Sequence, residues 1–236
     1  MKNSKKFINY LVNALLGFGC IFIYFFISDL EIYFLSLFGI DYTELSTSFK
    51  IIYLIIWEIV TICLIALLLN KKLSKDFENM KKNHKQYFKK YFKFWLIAVA
   101  IMMISNLFIN FFLDNGISSN EETLREMFKI SPIYIFFSSV IYAPFVEELV
   151  FRQSIKNIIP NKIIFIIVSG LVFGGLHIVS GYSGLTDLLY LIPYCAPGFA
   201  FAYILADSDN IFISIALHFM HNGILIALQF ILLIFS

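Results

Sequence analysis

Apolar runs of similar length recur along the chain, separated by short polar segments. They fall at 7–28, 49–69, 91–113, 131–152, 162–179, 186–206 and 211–235. Each is close to the ~20 residues with which an α-helix crosses a ~30 Å hydrocarbon core. The pattern predicts an all-α fold: a polytopic membrane helix bundle of about seven transmembrane helices. A further apolar stretch, 30–40, is too short to span and is expected at the interface or as an extension of the first helix. Helix punctuation agrees with these boundaries. Ser131 followed by Pro132 reads as an N-cap with proline at the first helical position. Pro160 and Asn161 separate the fourth and fifth spans, Ser180–Gly184 the fifth and sixth, and Asp207–Asp209 the sixth and last, with Ser208 or Asp209 as the expected cap. Pro193 and Pro197-Gly198 predict a kinked or broken sixth span bordering a cavity.

Polar positions then fix an orientation. Fifteen of the eighteen Lys and Arg residues fall in the N-terminal tail, in 71–93 and in 152–162, and only Lys50, Arg125 and Lys129 fall in the alternate segments. By the positive-inside bias the N-terminus is cytoplasmic. The alternate segments instead carry acidic residues, among them Asp29, Glu31, Asp41, Asp114 and Glu121. The basic stretch 70–93, read as a cytoplasmic loop or a solvated connecting helix, interleaves Lys with Phe and Tyr and would also suit an anionic leaflet. Membrane lipid explains this patch without nucleic acid. The chain is 60% hydrophobic and 14% charged, with mean hydropathy +0.83, which excludes an ordinary soluble domain. The basic start before an apolar run is read as an uncleaved first span, for want of a small-residue cleavage site. Cys20, Cys63 and Cys195 lie in apolar runs without metal-like spacing and are expected to be buried packing thiols.

Three polar spots stand out against this background. The first is Glu147-Glu148-Leu149-Val150-Phe151-Arg152, three charges at the end of a spanning run, where each costs about 2.5–3.5 kcal/mol on insertion scales. Glu148 and Arg152 are four apart and share a helix face. The simplest division pairs them and leaves Glu147 free to exchange a proton, as a general base must. The second spot, Phe173 to His177, again places two side chains four apart, and Gly170, Gly174 and Gly175 predict close approach of a neighbouring helix. The third, His218 to Asn222, puts two hydrogen-bond donors on one face, the arrangement an oxyanion requires. His221 lies near that face, so the spacing leaves open which imidazole points inward. Glu147, His177 and His218 could also ligate zinc, although no HExxH is present.

These residues resemble the three motifs of the CAAX protease and bacteriocin-processing (CPBP, or Abi) family, which includes the type II CAAX prenyl endopeptidases. EExxxR reads EELVFR at 147–152, FxxxH reads FGGLH at 173–177, and HxxxN reads HFMHN at 218–222. The resemblance covers about 131–225. It divides the chain into N-terminal transmembrane helices, 1–130, and a catalytic core, 131–236. It implies an intramembrane endopeptidase in which Glu147 activates water with help from His177. His218 and Asn222 would stabilise the oxyanion, with Glu148, Arg152, Phe173 and His221 in support. A glutamate-type mechanism without metal is favoured over a zinc one. The expected partners are membrane lipid and a peptide or membrane-protein substrate. The Lys-, Ile-, Phe- and Asn-rich composition points to the plasma membrane of an AT-rich bacterium. Alternatives are a bacteriocin self-immunity or scaffold protein and, further off, a proton-coupled transporter, for which no internal repeat is evident. The shared site makes one structural demand. At ~1.5 Å per residue, Glu147 reaches the depth of the histidines only if its helix continues past Arg152 to about Ile158.

Overall fold

A computed structural model of the chain describes residues 2–113, 117–179, 182 and 184–235. Among these described residues, seven helices are long and apolar enough to cross a membrane. We number the helices α1 (Lys2–Ser36), α2 (Thr47–Leu68), α3 (Asn70–Leu113), α4 (Ser119–Ile130), α5 (Pro132–Ile158), α6 (Lys162–Val179), α7 (Leu191–Ser208) and α8 (Ile211–Phe235). No strand occurs among the described residues. The protein is a multi-pass membrane helix bundle, as its periodicity predicts. Of the segments read from sequence, Asp114 and residues 180, 181 and 183 of the expected Ser180–Gly184 turn lie outside the described residues.

Several boundaries differ from the sequence reading. The stretch 30–40 follows one of its two expected readings and is largely a continuation of α1, which runs to Ser36, but this takes Asp29 and Glu31 into a helix rather than a loop. The basic stretch 70–93 is helical, as the reading of a connecting helix has it, but it is not a separate element. It is the first half of α3, a helix of 44 residues and therefore about 66 Å long, roughly twice the hydrocarbon thickness. Its Lys, Glu and Gln residues are good helix formers, and no Gly or Pro interrupts it. The sixth span is not broken. A 3-10 turn at Leu185–Tyr190 leads into α7, which continues through Pro197.

The basic half of α3 packs on the ends of α7 and α8. Asp76 is buried and caps α8, its Oδ2 accepting the Ile211 N–H at 2.9 Å. Asn210 supplies the second cap, its Oδ1 accepting the Phe212 N–H at 3.0 Å. These two, not Ser208 or Asp209, start the helix. Asp209 instead ends α7 in the left-handed conformation, with φ 51°. Four lysines surround this turn. Lys156 reaches Asp209 at 2.6 Å and Lys72 at 3.4 Å, while Lys90 and Lys162 reach Asp207 at 2.7 and 3.5 Å. Tyr10 donates to the Ile158 carbonyl at 3.0 Å, which brings the start of α1 to the same end of the bundle. The segments that hold most of the cations therefore meet at one end.

The packing core lies in the second half of the chain. α6 and α7 touch backbone to backbone where a Cβ on Gly198 would come within 2.8 Å of the Gly170 carbonyl oxygen. A Cβ on Gly174 would meet Cys195, whose backbone nitrogen is 2.9 Å away. Gly175 has open space around it, so it takes no part in the close approach expected of all three glycines. In lipid, where apolar burial gives little driving force between helices, such close contact supplies the van der Waals attraction. All three cysteines are free, and Cys20 and Cys195 are buried as expected. Cys63 is exposed on the outer side of α2, facing the region lipid would fill.

Candidate active site

The geometry of the site begins with two departures from regular helix in α5. Phe137–Tyr142 and Glu148–Ser154 are π-helical turns, whose hydrogen bonds run i→i+5, a local form common at functional sites. Pro144 explains the first. Its ring would clash with the carbonyl four residues earlier, and widening the preceding turn relieves the crowding. In that turn the Ala143 N–H bonds the Ser138 carbonyl. The next carbonyl, of Ser139, would take the N–H of residue 144, which is proline and has none. Asn222 fills the place, its Nδ2 donating to the Ser139 oxygen at 2.7 Å.

The helix runs on through Arg152 to Ile158, so the structural demand made by the sequence is met. Counted from the lysine-rich end, His218 lies about 11 Å deep, Glu147 about 17 Å and His177 about 22 Å. Glu148 and Arg152 are wholly buried, with Arg152 Nη2 3.4 Å from Glu148 Oε1. The guanidinium also lies over the Phe173 ring, 4.0 Å from its centroid, a cation–π contact strengthened by desolvation. None of its nitrogens meets a hydrogen-bond acceptor among the described residues, so Glu148 and Phe173 carry the charge between them.

Glu148 holds a second partner that the helix-face argument did not supply. His218 Nδ1 lies 3.0 Å from Glu148 Oε1. An ionised carboxylate only accepts, so Nδ1 carries the proton. The imidazole is sandwiched, stacked on Phe201 at 5.1 Å and edge-on to Phe173 at 5.8 Å between centroids. Its other nitrogen, Nε2, points to Glu147 Oε2 at 4.0 Å. That is too long for a direct hydrogen bond and short enough for one water to bridge. Glu147, unlike Glu148, retains some exposure, 16% of its side chain. The question of which imidazole faces inward is thus answered: His218 meets the carboxylates, whereas His221 packs against Trp95 of α3.

His177 stands apart from this cluster. Its Nδ1 lies 2.8 Å from the Phe173 carbonyl. A carbonyl only accepts, so Nδ1 is the protonated nitrogen and Nε2 is left as an acceptor. The ring packs on Phe173 at 4.5 Å and stacks on Tyr194 at 4.9 Å. Tyr194 in turn shares a hydrogen bond of 2.6 Å with Ser118, the N-cap of α4. Among the described residues no hydrogen bond or ion pair joins His177 to Glu147, and the two are connected through Phe173 and His218. Nor do any three of His, Cys, Asp and Glu gather closely enough to hold a metal ion. The donor set suggested for zinc, Glu147, His177 and His218, therefore does not fit one in this geometry.

Sequence reasoning missed Glu58. It is the only charged residue between Lys50 and Lys71, a signal that marks an intramembrane site by default. Its Oε1 accepts from Ser138 at 2.7 Å and Tyr134 at 3.3 Å. Ser139 was missed too, since its part follows only from the register of the π turn.

Comparison with known proteins points to the same part of the chain. Residues 129–224 match the family model described as Type II CAAX prenyl endopeptidase Rce1-like. The chain is 30% identical over 115 residues to "Putative membrane peptidase YdiL" of Bacillus subtilis (strain 168), a stretch covering 48% of this chain and 43% of that protein. It is 40% identical over 97 residues to an uncharacterized protein of Mycoplasma capricolum, covering 38% and 27% respectively. UPF0177 protein YvdC of Lactococcus lactis is 26% identical over 132 residues, covering 54% and 48%. The chain thus spans less than half the length of each of these relatives. No solved structure matches it. The stretch matched by the family model holds all three motifs and every residue of the buried cluster around Glu148. Over residues 129–224, this chain is similar to the Rce1-like, type II CAAX prenyl endopeptidase family.

Proposed function

We propose that the protein is an intramembrane endopeptidase that hydrolyses a peptide bond of a membrane-associated peptide or protein, with Glu147 activating the water. The observation that carries this reading is the 4.0 Å gap between Glu147 Oε2 and His218 Nε2, at the edge of a buried polar cluster that costs the fold several kcal/mol to enclose. The family match over the same residues supports it.

In this reading a water between the two groups gives its proton to Glu147 as its oxygen attacks the scissile carbonyl. His218, held through Nδ1 by Glu148, acts here as the imidazolium between the two carboxylates, so that Nε2–H also donates a hydrogen bond, to the oxygen on which charge develops. Asn222 has one amide N–H engaged by Ser139 and a second left to join it. Glu147 then returns the proton to the leaving amine. Arg152 keeps Glu148 ionised so that it can orient the imidazole. His177, held by Phe173 and Tyr194, takes no step in this scheme. No metal enters the scheme, and the chain's own residues supply every proton movement. The setting we propose is a bacterial plasma membrane, with the lysine-rich end on the cytoplasmic side.

The reading is tested with purified protein in lipid nanodiscs and quenched fluorescent peptides of apolar sequence. Wild type is expected to cleave, Glu147→Gln to lose at least a hundredfold in rate, and a zinc chelator to leave the rate unchanged. Cleavage that survives Glu147→Gln overturns the assignment of the base, and abolition by chelator followed by zinc rescue overturns the metal-free scheme.

A further inference from the structure

A cavity of about 360 Å3 lies between α1, α2 and α5 and takes no part in the chemistry above. Its walls include the rings of Tyr24, Trp57 and Tyr142 and the carboxylates of Glu31 and Glu58. No Lys, Arg or His is among its lining residues. Glu58 enters it half satisfied. Oε1 accepts two hydroxyl hydrogen bonds, while Oε2 is buried and has no partner among the described residues. Tyr142 stands five residues before Glu147 on the same helix, about 8 Å along its axis, which places this wall of the cavity near the candidate base. Tyr24 packs edge-on to Phe151, which fixes this wall to the helix that carries the base.

Carboxylates inside a membrane are expensive and are kept where they meet a charge or an ion path. Aromatic faces beside them add the attraction of their ring quadrupoles for a cation. Resting on the endopeptidase reading, we infer that this cavity is a specificity subsite. It takes one cationic side chain of the peptide, a lysine ammonium or an arginine guanidinium, while the scissile bond lies at Glu147. Glu58 is the charge partner, Glu31 a second one nearer the end of α1, and Trp57 and Tyr142 the aromatic walls.

Binding is measured with the full chain carrying Glu147→Gln, in zwitterionic nanodiscs, so that neither cleavage nor anionic lipid enters the result. The probes are fluorescent apolar peptides with a single lysine walked along the sequence, each paired with its norleucine counterpart. At one register the lysine peptide is expected to bind at least tenfold more tightly. Glu58→Gln should erase that preference with little change in norleucine affinity, and Trp57→Leu, which leaves both carboxylates in place, should weaken it. Equal affinities at every register overturn the inference, as does a preference that survives the Glu58→Gln, Glu31→Gln double variant. Since binding is read without turnover, a protein that shows the preference but never cleaves in its wild-type form fails the endopeptidase reading and not this one.

Discussion

His218 is fixed between two adjacent carboxylates, its Nδ1 3.0 Å from Glu148 Oε1 and its Nε2 4.0 Å from Glu147 Oε2. Neighbouring residues on one helix thus address opposite nitrogens of one ring. Glu148 holds the Nδ1–H, and Glu147 faces the other nitrogen, Nε2. Replacing Glu148 by Gln removes the partner of a wholly buried Arg152 and should cost about 3–5 kcal/mol of stability, because an uncompensated buried charge remains. Adding Arg152→Met should restore much of the thermal stability, but not peptidase activity, since His218 still lacks its orienting carboxylate. Thermal unfolding and a peptide-cleavage assay on the single and double variants check both halves.

Asn222 is open to a similar separation. Its bond to the Ser139 carbonyl replaces an N–H that Pro144 lacks. Asn222→Ala should therefore cost about 1–3 kcal/mol through an orphaned carbonyl, apart from any catalytic loss. Pro144→Ala supplies the missing N–H. The double variant should recover stability relative to Asn222→Ala while remaining slow, if the second amide N–H serves the oxyanion. Full recovery of rate along with stability would make Asn222 a structural residue alone.

These relationships show what the sequence made legible. Spacing put Glu148 beside Arg152 and set the number and order of spans, because the 3.6 period and hydrocarbon thickness act locally. It also required α5 to pass Arg152, since three depths had to agree. It could not show that Glu148 binds His218, because contacts between α5 and α8 depend on tertiary packing across 70 residues. The rotation of Asn222 toward Ser139 depends on a π turn whose register no periodicity reveals. His177 was expected beside Glu147, but its ring is held by Phe173 and Tyr194. Glu58 could have been found, being a lone charge in an apolar run. It stands alone, whereas the other polar spots in apolar runs come as clusters.

The close approach of α6 and α7 gives a sharp contrast between neighbouring glycines. Gly174→Ala forces a methyl group against Cys195, part of it backbone that cannot move aside. It should destabilise by about 1–3 kcal/mol as an overpacked contact and displace His177 with its helix. Gly175→Ala meets nothing within 4 Å and gains helix propensity of about 1 kcal/mol, so it should be neutral or stabilising. Thermal unfolding of the pair checks this directly.

The lysine-ringed turn after α7 should respond to acid. Burial alone would raise the Asp209 carboxyl, but the ion pairs with Lys156 and Lys72 outweigh it and hold the group below the usual carboxylate range. A group whose pKa falls on folding stabilises the folded state above its unfolded pKa, and loses that contribution as pH drops through the folded one. Asp209→Asn, which tolerates the left-handed conformation, should therefore melt below wild type at pH 7. The gap should narrow as pH falls below about 4. A gap that stays constant with pH would show that the lysines contribute nothing at this position.

The central claim, that Glu147 is the base of an intramembrane endopeptidase, is tested most directly in cells. Membrane and secreted peptides are compared by mass spectrometry between wild type and a Glu147→Gln strain with equal amounts of folded protein in the membrane. The account predicts that a defined set of membrane-derived peptides disappears from the variant while their uncleaved precursors accumulate. Identical peptide profiles from the two strains would contradict it.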